Sequence, residues 1–237
     1  MLGQRKNMNK IKFINTSDDV SDNFAPIPAS KSLPDWYKKM PSYMNGIKEI
    51  ASDGTTGTIK KCLPVFDAIS NGYLILTHCD ISIKWDGIGY IFNAPYDNFK
   101  FISYHPLWQV NLHPKIGSDL TNVPKYANPW SIVTPKGYSS LFVPPIHREN
   151  DIIIFEGVVD TDSYHSPVQL PFYLSKSETD LFIPAGTPIA QVIIFKRESW
   201  RSEISKDYSK AIQAKALNNS RFFDAYKNLF WSRKKYE

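Results

Sequence analysis

Cysteine is almost missing from this chain: Cys62 and Cys79 are the only two in 237 residues. They form no C-x-x-C pair and have no histidine at zinc-ligand spacing. A disulfide-stapled scaffold and a zinc site are therefore both excluded, and two buried free thiols in a reducing compartment are expected. Long apolar runs are missing too. No stretch approaches the roughly 18–20 apolar residues of a membrane-spanning helix, and the basic N-terminus MLGQRKNMNKIKFINTS lacks the apolar centre of a signal peptide. The expected setting is the cytoplasm, with no membrane. No G-x-S-x-G, G-x-x-x-x-G-K-[ST] or H-E-x-x-H occurs, so the common nucleophilic, phosphate-cradling and zinc-protease signatures are absent. There is no internal repeat.

What is abundant points to sheet. Aromatics make up 14% of the chain, with 14 Phe, 13 Tyr and 6 Trp, and such residues favour pleated, half-buried surfaces. Seventeen prolines against eleven glycines suit many short strands joined by loops, because proline interrupts helices and central strands alike. Length allows one large β domain with a sizeable core. Charge is uneven: from Trp200 to Glu237 nine Lys and Arg face four Asp and Glu, which accounts for the whole net charge of +5. That asymmetry reads as a solvated helical surface first and as a nucleic-acid partner second.

Along the chain, KIKFIN (10–15) alternates polar and apolar residues as a first strand does. Residues 16–58 are Pro- and Gly-rich and are expected to wrap the domain. Within them Leu33, Trp36, Tyr37 and Met40 predict one short helix with Ser32 as a cap, pinned by Trp36, and 45–58 predicts a loop. Thr58 is expected to cap a helix over roughly 59–70 that stops at Asn71-Gly72. Tyr73–Trp85 predicts one long strand, closed by an Asp86-Gly87 hairpin signal and returned by GYIFNA. Residues 99–128 resist assignment. PWSIV and GYSSLFV flank a Pro-Lys-Gly turn, and DIIIFEGVVD, SPVQLPFYL and TPIAQVIIF predict three further strands. Beyond Trp200, Ile204, Tyr208, Ile212 and Ala216, then Phe222, Phe223, Tyr226 and Phe230, recur at helical spacing and predict two helices parted at Asn218-Asn219.

Three segments in order carry a resemblance. Gly157-Val158-Val159-Asp160 with Asp162 and Tyr164 resembles the dUTPase motif G-[VLI]-I-D-x-D-Y, with Ser163 inserted. Gly186-Thr187-Pro188-Ile189-Ala190-Gln191-Val192 resembles that family's G-[DE]-R-I-A-Q-[LM]. Gly137-Tyr138-Ser139-Ser140-Leu141 stands where the family places its phosphate-contacting P-R-S-[SG]-L. The resemblance covers residues 130–196. It implies a mostly β fold, a single-domain sandwich or distorted barrel of dUTPase-like (β-clip) type, with a few short helices and two C-terminal helices over 200–237. It also implies that Asp160 orients the attacking water, that Tyr164 underlies the deoxyribose, and that Ser139 or Ser140, with Asp162 and Gln191, contacts ligand. Mg²⁺ follows only if the nucleotide reading holds; otherwise no cofactor is expected. The resembling enzymes are trimers, which implies a homo-oligomer.

The sequence also departs from that family. Tyr138 stands near the place of the phosphate-binding arginine, A-G-x-D-L has no counterpart, and helices replace the Gly-rich C-terminal arm. Over nearly the whole length, PDWYKKMP, TIKKCLPVFDAISNGYLI, NPWSIVTPKGYSSLFVPP, GVVDTDSY and GTPIAQVIIFKRE resemble a family of uncharacterised phage and bacterial proteins. That likeness implies a viral or bacterial source and a place in the cytoplasm or in a virion assembled there. The reading favoured by the sequence is therefore a non-catalytic binding, structural or assembly protein with a protein partner or further copies of itself. The alternative is a nucleotide-binding protein or dNTP pyrophosphatase using Asp160 and Tyr164. A third reading, a non-haem iron oxygenase, rests on His78-Cys79-Asp80, whose alternation on a strand would place His78 and Asp80 on one face, with His147 or His165 as a third ligand. A cupin would need H-x-H, which does not occur, and no metal ligand set is otherwise expected.

Overall fold

The computed structural model describes residues 9–51, 54–95, 101–110, 122–176, 179–220 and 223–237. The chain divides into two compact units: Met1–Ile27 with Gly72–Arg197, and Pro28–Asn71 with Glu198–Glu237. The protein is mostly β, built of antiparallel sheets with a few short helices, and its described strands close no barrel.

The first unit holds the main core. Gly157–Val159, Tyr138–Val143, Pro188–Lys196 and Tyr73–Leu76 run side by side in that order, with Pro188–Lys196 paired on both edges. A strand paired on both sides and covered on both faces should be apolar throughout its centre. Ile189, Ala190 and Val192 meet that requirement and are buried. Ile152–Ile154, Leu170–Leu174, Asn122–Tyr126 and Ile102–Pro106 form a second sheet, and Leu181–Ile183, Ile81–Trp85 and Tyr90–Asn93 a third. The inward residues Ile81, Ile83, Tyr126, Phe142, Ile154, Phe172 and Val192 meet in one cluster. The Asp86 carboxylate accepts from the Ile88 and Gly89 N–H groups at 2.9 and 2.8 Å, which closes the hairpin the Asp-Gly pair predicted.

Two of the predicted strands are each divided in the structure. Tyr73–Trp85 is two strands in two sheets, parted at Thr77–Asp80. The Thr77 N–H donates to the Thr187 carbonyl at 2.9 Å, its hydroxyl to the Pro184 carbonyl at 2.8 Å, and its carbonyl accepts from Gly186 at 2.8 Å. Those bonds turn the chain from one sheet into the next. DIIIFEGVVD divides likewise into Ile152–Ile154 and Gly157–Val159. Trp130–Val133 pairs with the predicted first strand, Lys12–Asn15, rather than across the Pro-Lys-Gly turn. In the region that resisted assignment, Ile102–Pro106 pairs with Asn122–Tyr126; residues 96–100 and 111–121 lie outside the described residues.

In the second unit the short helix is Asp35–Lys39, with Pro34 rather than Ser32 in the cap position. Its buried residue is Tyr37, whose hydroxyl donates to the Lys60 carbonyl at 3.1 Å, so Tyr37 and not Trp36 pins it. Thr58 does cap, but a 3-10 turn, Ile59–Lys61, from which Leu63–Ser70 continues as the helix; Cys62 between them is exposed, so of the two thiols only Cys79 is buried as expected. The Trp231 indole N–H donates to Asp67 on that helix at 2.9 Å and Lys234 pairs with the same carboxylate at 2.6 Å. Two C-terminal helices form, Ser209–Asn219 and Ala225–Leu229, but Ile204 and Tyr208 precede the first and Asn218-Asn219 lies inside it rather than between the two; Phe222 lies outside the described residues. Ser209–Asn219 has no buried residue, and Ile212 and Leu217 on its apolar stripe are half exposed. Among the described residues no helix is long and apolar enough to cross a membrane.

Candidate functional site

Strand register brings the motif residues together. Ser140 pairs with Val159 on one side and Ile194 on the other. One step further along each ladder sets Ser139 beside Asp160. Past the end of the long strand, the Arg197 N–H donates to the Gly137 carbonyl at 2.8 Å. Gly137 has φ +86° in the Pro-Lys-Gly turn, a conformation that favours glycine. Side chains alternate across a strand, so Ser139, Asp160 and Arg197 share one face while Ser140 and Val159 take the other.

On that face the groups bond to one another. The Ser139 hydroxyl donates to Asp160 Oδ1 at 2.6 Å. Arg197 Nη1 donates to Asp162 Oδ1 at 2.9 Å, to Ser139 Oγ at 3.0 Å and to the Tyr138 carbonyl at 3.1 Å, and lies 3.1 Å from Asp160 Oδ1. Its Nη2 pairs with Asp162 Oδ2, which also accepts from the Gly137 N–H at 2.7 Å. The guanidinium beside Asp162, helped by the Gly137 N–H, holds that carboxyl at about 2, and Asp162 in turn raises the pKa of Arg197. One cation thus joins two carboxylates and a hydroxyl.

The other predicted residues divide. Asp160 closes a turn in which its carbonyl accepts from Ser163 and Tyr164 at 3.0 and 2.8 Å, so the inserted Ser163 is part of the turn itself. Tyr164 is half exposed beyond it. Ser140 points to the opposite face, where its hydroxyl meets Thr161 at 2.8 Å, and Thr161 meets Thr134 at 2.9 Å. Gln191 is buried, with Oε1 accepting from the Ile146 N–H at 3.0 Å. Ser140 and Gln191 therefore stand apart from the Asp160 cluster. Arg197 was missed because it follows the last strand by one residue in the unremarkable run Lys196-Arg197-Glu198; the strand register is the signal that finds it.

The cluster can anchor a turn and present the outward oxygen of Asp160, whose side chain is 60% exposed. A general base needs such a free lone pair within reach of its water. Phosphate neutralisation needs cationic donors, and those of Arg197 already meet protein acceptors. The two carboxylates hold a guanidinium where a divalent ion would have to sit, so the residues present do not fit a bound Mg²⁺ at this turn.

The iron reading is corrected. Because the chain turns at Thr77, His78 and Asp80 do not share a strand face. His78 is buried and its Nδ1 meets the Tyr126 hydroxyl, whereas Asp80 faces solvent and accepts from the Ala185 N–H at 2.7 Å. Among the described residues no group of three His, Cys, Asp or Glu, with or without His147 or His165, is placed to hold a metal ion.

No protein-family model and no curated protein sequence matches the chain. Among solved structures, it is similar to a variant dUTPase from phage phi11 of S. aureus at TM-score 0.34 and 11% identity, over 85% of this chain and 99% of that one. It is similar also to a Staphylococcus bacteriophage 80alpha dUTPase variant with dUpNHpp, at TM-score 0.35 and 11% identity over 84% and 99%. A further phage phi11 dUTPase structure is similar at TM-score 0.33 and 12% identity, over 84% and 97%.

Proposed function

We propose that this protein is a non-catalytic binding and assembly protein that associates with further copies of itself. The observation that carries the reading is the C-terminal stretch after Arg197: every residue from Glu198 to Ser220 is exposed, including Trp200, Ile204, Tyr208, Ile212 and Leu217. Apolar residues at that density, left in water, mark an interaction surface. The same chain leaves a second apolar surface open. On the outward face of the three-stranded sheet, Phe182 is 61% and Ile91 49% exposed, with Ile88 in the adjoining turn. A head-to-tail contact between copies would cover both surfaces at once, and such contacts close into rings when the rotation allows. Charge agrees: the unit carrying the stretch has fifteen Lys and Arg against nine Asp and Glu, and the other unit thirteen against fourteen.

Light scattering after size exclusion tests the reading. The full chain should run as an oligomer at tens of micromolar, and the triple variant Trp200→Ser, Ile204→Ser, Ile212→Ser as a folded monomer. A wild-type monomer across that range would refute self-association, and binding of a different protein in its place would move the occupant to that partner.

A second reading, nucleotide binding at Asp160 and Tyr164, is favoured by one observation: Arg197 sits at the same turn. It requires the guanidinium to exchange Asp160 and Asp162 for phosphate oxygens. Thermal shift with dUTP and dCTP in the presence of Mg²⁺ decides it, since an unchanged melting temperature with both rules it out.

A further inference from the structure

The second unit contains a cavity of about 400 Å³, within the roughly 300–1,000 Å³ span of ligand-sized clefts. Its walls combine rings and amines. Tyr43 and Phe223 meet edge to face with centroids 6.3 Å apart, and Tyr226 also lines the cavity. Lys61 lies over the Tyr43 ring at 5.4 Å and Lys48 over the Phe223 ring at 4.7 Å. Lys227 joins the lining.

Charge at the cavity is one-sided. Asp224, the one carboxylate among the described lining residues, pairs with Lys61 at 2.7 Å. Lys61 first, then Lys48 and Lys227, lower the Asp224 pKa, which places all three amines within electrostatic reach of one acid. Lys61 is thereby held in place, while Lys48 and Lys227, both on the exposed surface, carry charge that no further acid among the described lining residues balances. The surrounding unit has a surplus of six positive charges.

Aromatic faces beside unbalanced lysines are the two components of a single-strand nucleic-acid site: bases stack on rings and phosphates follow the cations. A duplex, whose bases already stack on one another, offers only phosphates to such a cavity. We propose that this cavity binds single-stranded nucleic acid, with one base against Phe223 and Tyr226 and neighbouring phosphates on Lys48 and Lys227. Lys61 and Asp224 shape the wall and need not release each other.

Fluorescence anisotropy with a labelled DNA single strand of about 15 nucleotides, in the upper range of single-strand site sizes, tests the assignment on the full chain. The single strand should bind, and its affinity should fall with salt. Lys48→Gln and Lys227→Gln should each reduce the salt slope by about 0.7. Phe223→Leu and Tyr226→Leu keep the charge and should each weaken the single strand by about tenfold while leaving a duplex of equal length unaffected. Tyr226 is exposed, so its variant keeps the test usable if Phe223→Leu disturbs the unit. Equal binding of single strand and duplex, with no effect of the ring variants, would overturn the proposal in favour of a diffuse basic surface. Competition by a free nucleoside monophosphate as effective as the strand itself would overturn it in favour of a mononucleotide site.

Discussion

Lowering the pH from 7 to 5 should destabilise this protein through one buried ring. His78 lies in the corner between two sheets, essentially without solvent contact. Its backbone N–H donates to the Tyr126 hydroxyl at 3.2 Å, and that hydroxyl is free to donate to Nδ1 of the neutral ring. Burial lowers the His78 pKa from 6.5 to about 4. The sign follows directly. Below pH 6.5 the unfolded chain takes up a proton that the folded chain refuses until about pH 4, so stability falls as pH decreases through that window and then levels. Those two values give a loss of about 2 kcal/mol between pH 7 and pH 5 and at most about 3 kcal/mol by pH 4. The Tyr126 hydroxyl is shifted upward by burial, and the Cys79 thiol is pushed up to about 11, so neither neighbour titrates in this range. For a chain of this size the first figure corresponds to a melting temperature lower by about 4–8 °C. Urea denaturation at half-unit pH intervals, followed by circular dichroism, measures it. His78→Asn keeps a hydrogen-bonding group near Tyr126 and cannot titrate, so its curve should lose that slope, although it starts from lower stability. If wild type and variant show parallel pH dependence between 5 and 7, the buried ring is not the source.

The other expectations concern single contacts. A Cβ at Gly72, where φ is +70°, would lie 1.9 Å from the Val192 carbonyl oxygen in a central strand; Gly72→Ala should cost ~3–5 kcal/mol in urea denaturation, the range of severe core lesions. Arg197→Ala removes the main cause of the low Asp162 pKa, so a carboxyl NMR titration should show its midpoint rising from about 2 towards the ordinary range. The stability that Asp162 contributes above pH 4 and loses as pH falls towards 2 should shrink with it; an unmoved midpoint would mean that the Gly137 N–H alone sets it. Trp231→Phe deletes the donor to Asp67 and should lower stability by about 1 kcal/mol in chemical denaturation.

The sequence was most readable where one physical cause decides an element. Ile81 and Ile83 alternate with polar neighbours and face the core, and Asp86-Gly87 turns the chain back as such a pair should. It was least readable where a tertiary hydrogen bond outranks local pattern. Nothing in YLILTHCDISIKW announces a corner at Thr77, because the bonds that make it come from Pro184, Gly186 and Thr187, more than a hundred residues away. That corner decides where His78 and Asp80 face, and so removed a metal reading that alternation alone had allowed. Ser139 and Ser140 show the complementary case: adjacent in sequence and equivalent in a motif, they are sent to opposite faces by the period of the strand.

At Asp160 a catalytic-looking motif and a structural role coincide. A turn following an edge strand needs its backbone donors met, and here the Asp160 carbonyl meets two of them while the Asp162 carboxylate meets the Gly137 N–H of the neighbouring turn. A carboxylate placed there also needs a cation, because Asp162 is nearly covered, its side chain only 6% exposed, and an uncompensated charge in that position would be costly. Arg197 supplies the cation from just past the end of Pro188–Lys196, two strands away in the sheet. Residue types that elsewhere hold a water and a metal ion can therefore be kept at these positions by the demands of two adjoining turns alone. What separates the two roles is whether the guanidinium can leave: with dUTP and Mg²⁺ present, an Asp162 carboxyl resonance that keeps its low midpoint shows that the turn still owns the arginine, and one that moves shows that phosphate has taken it.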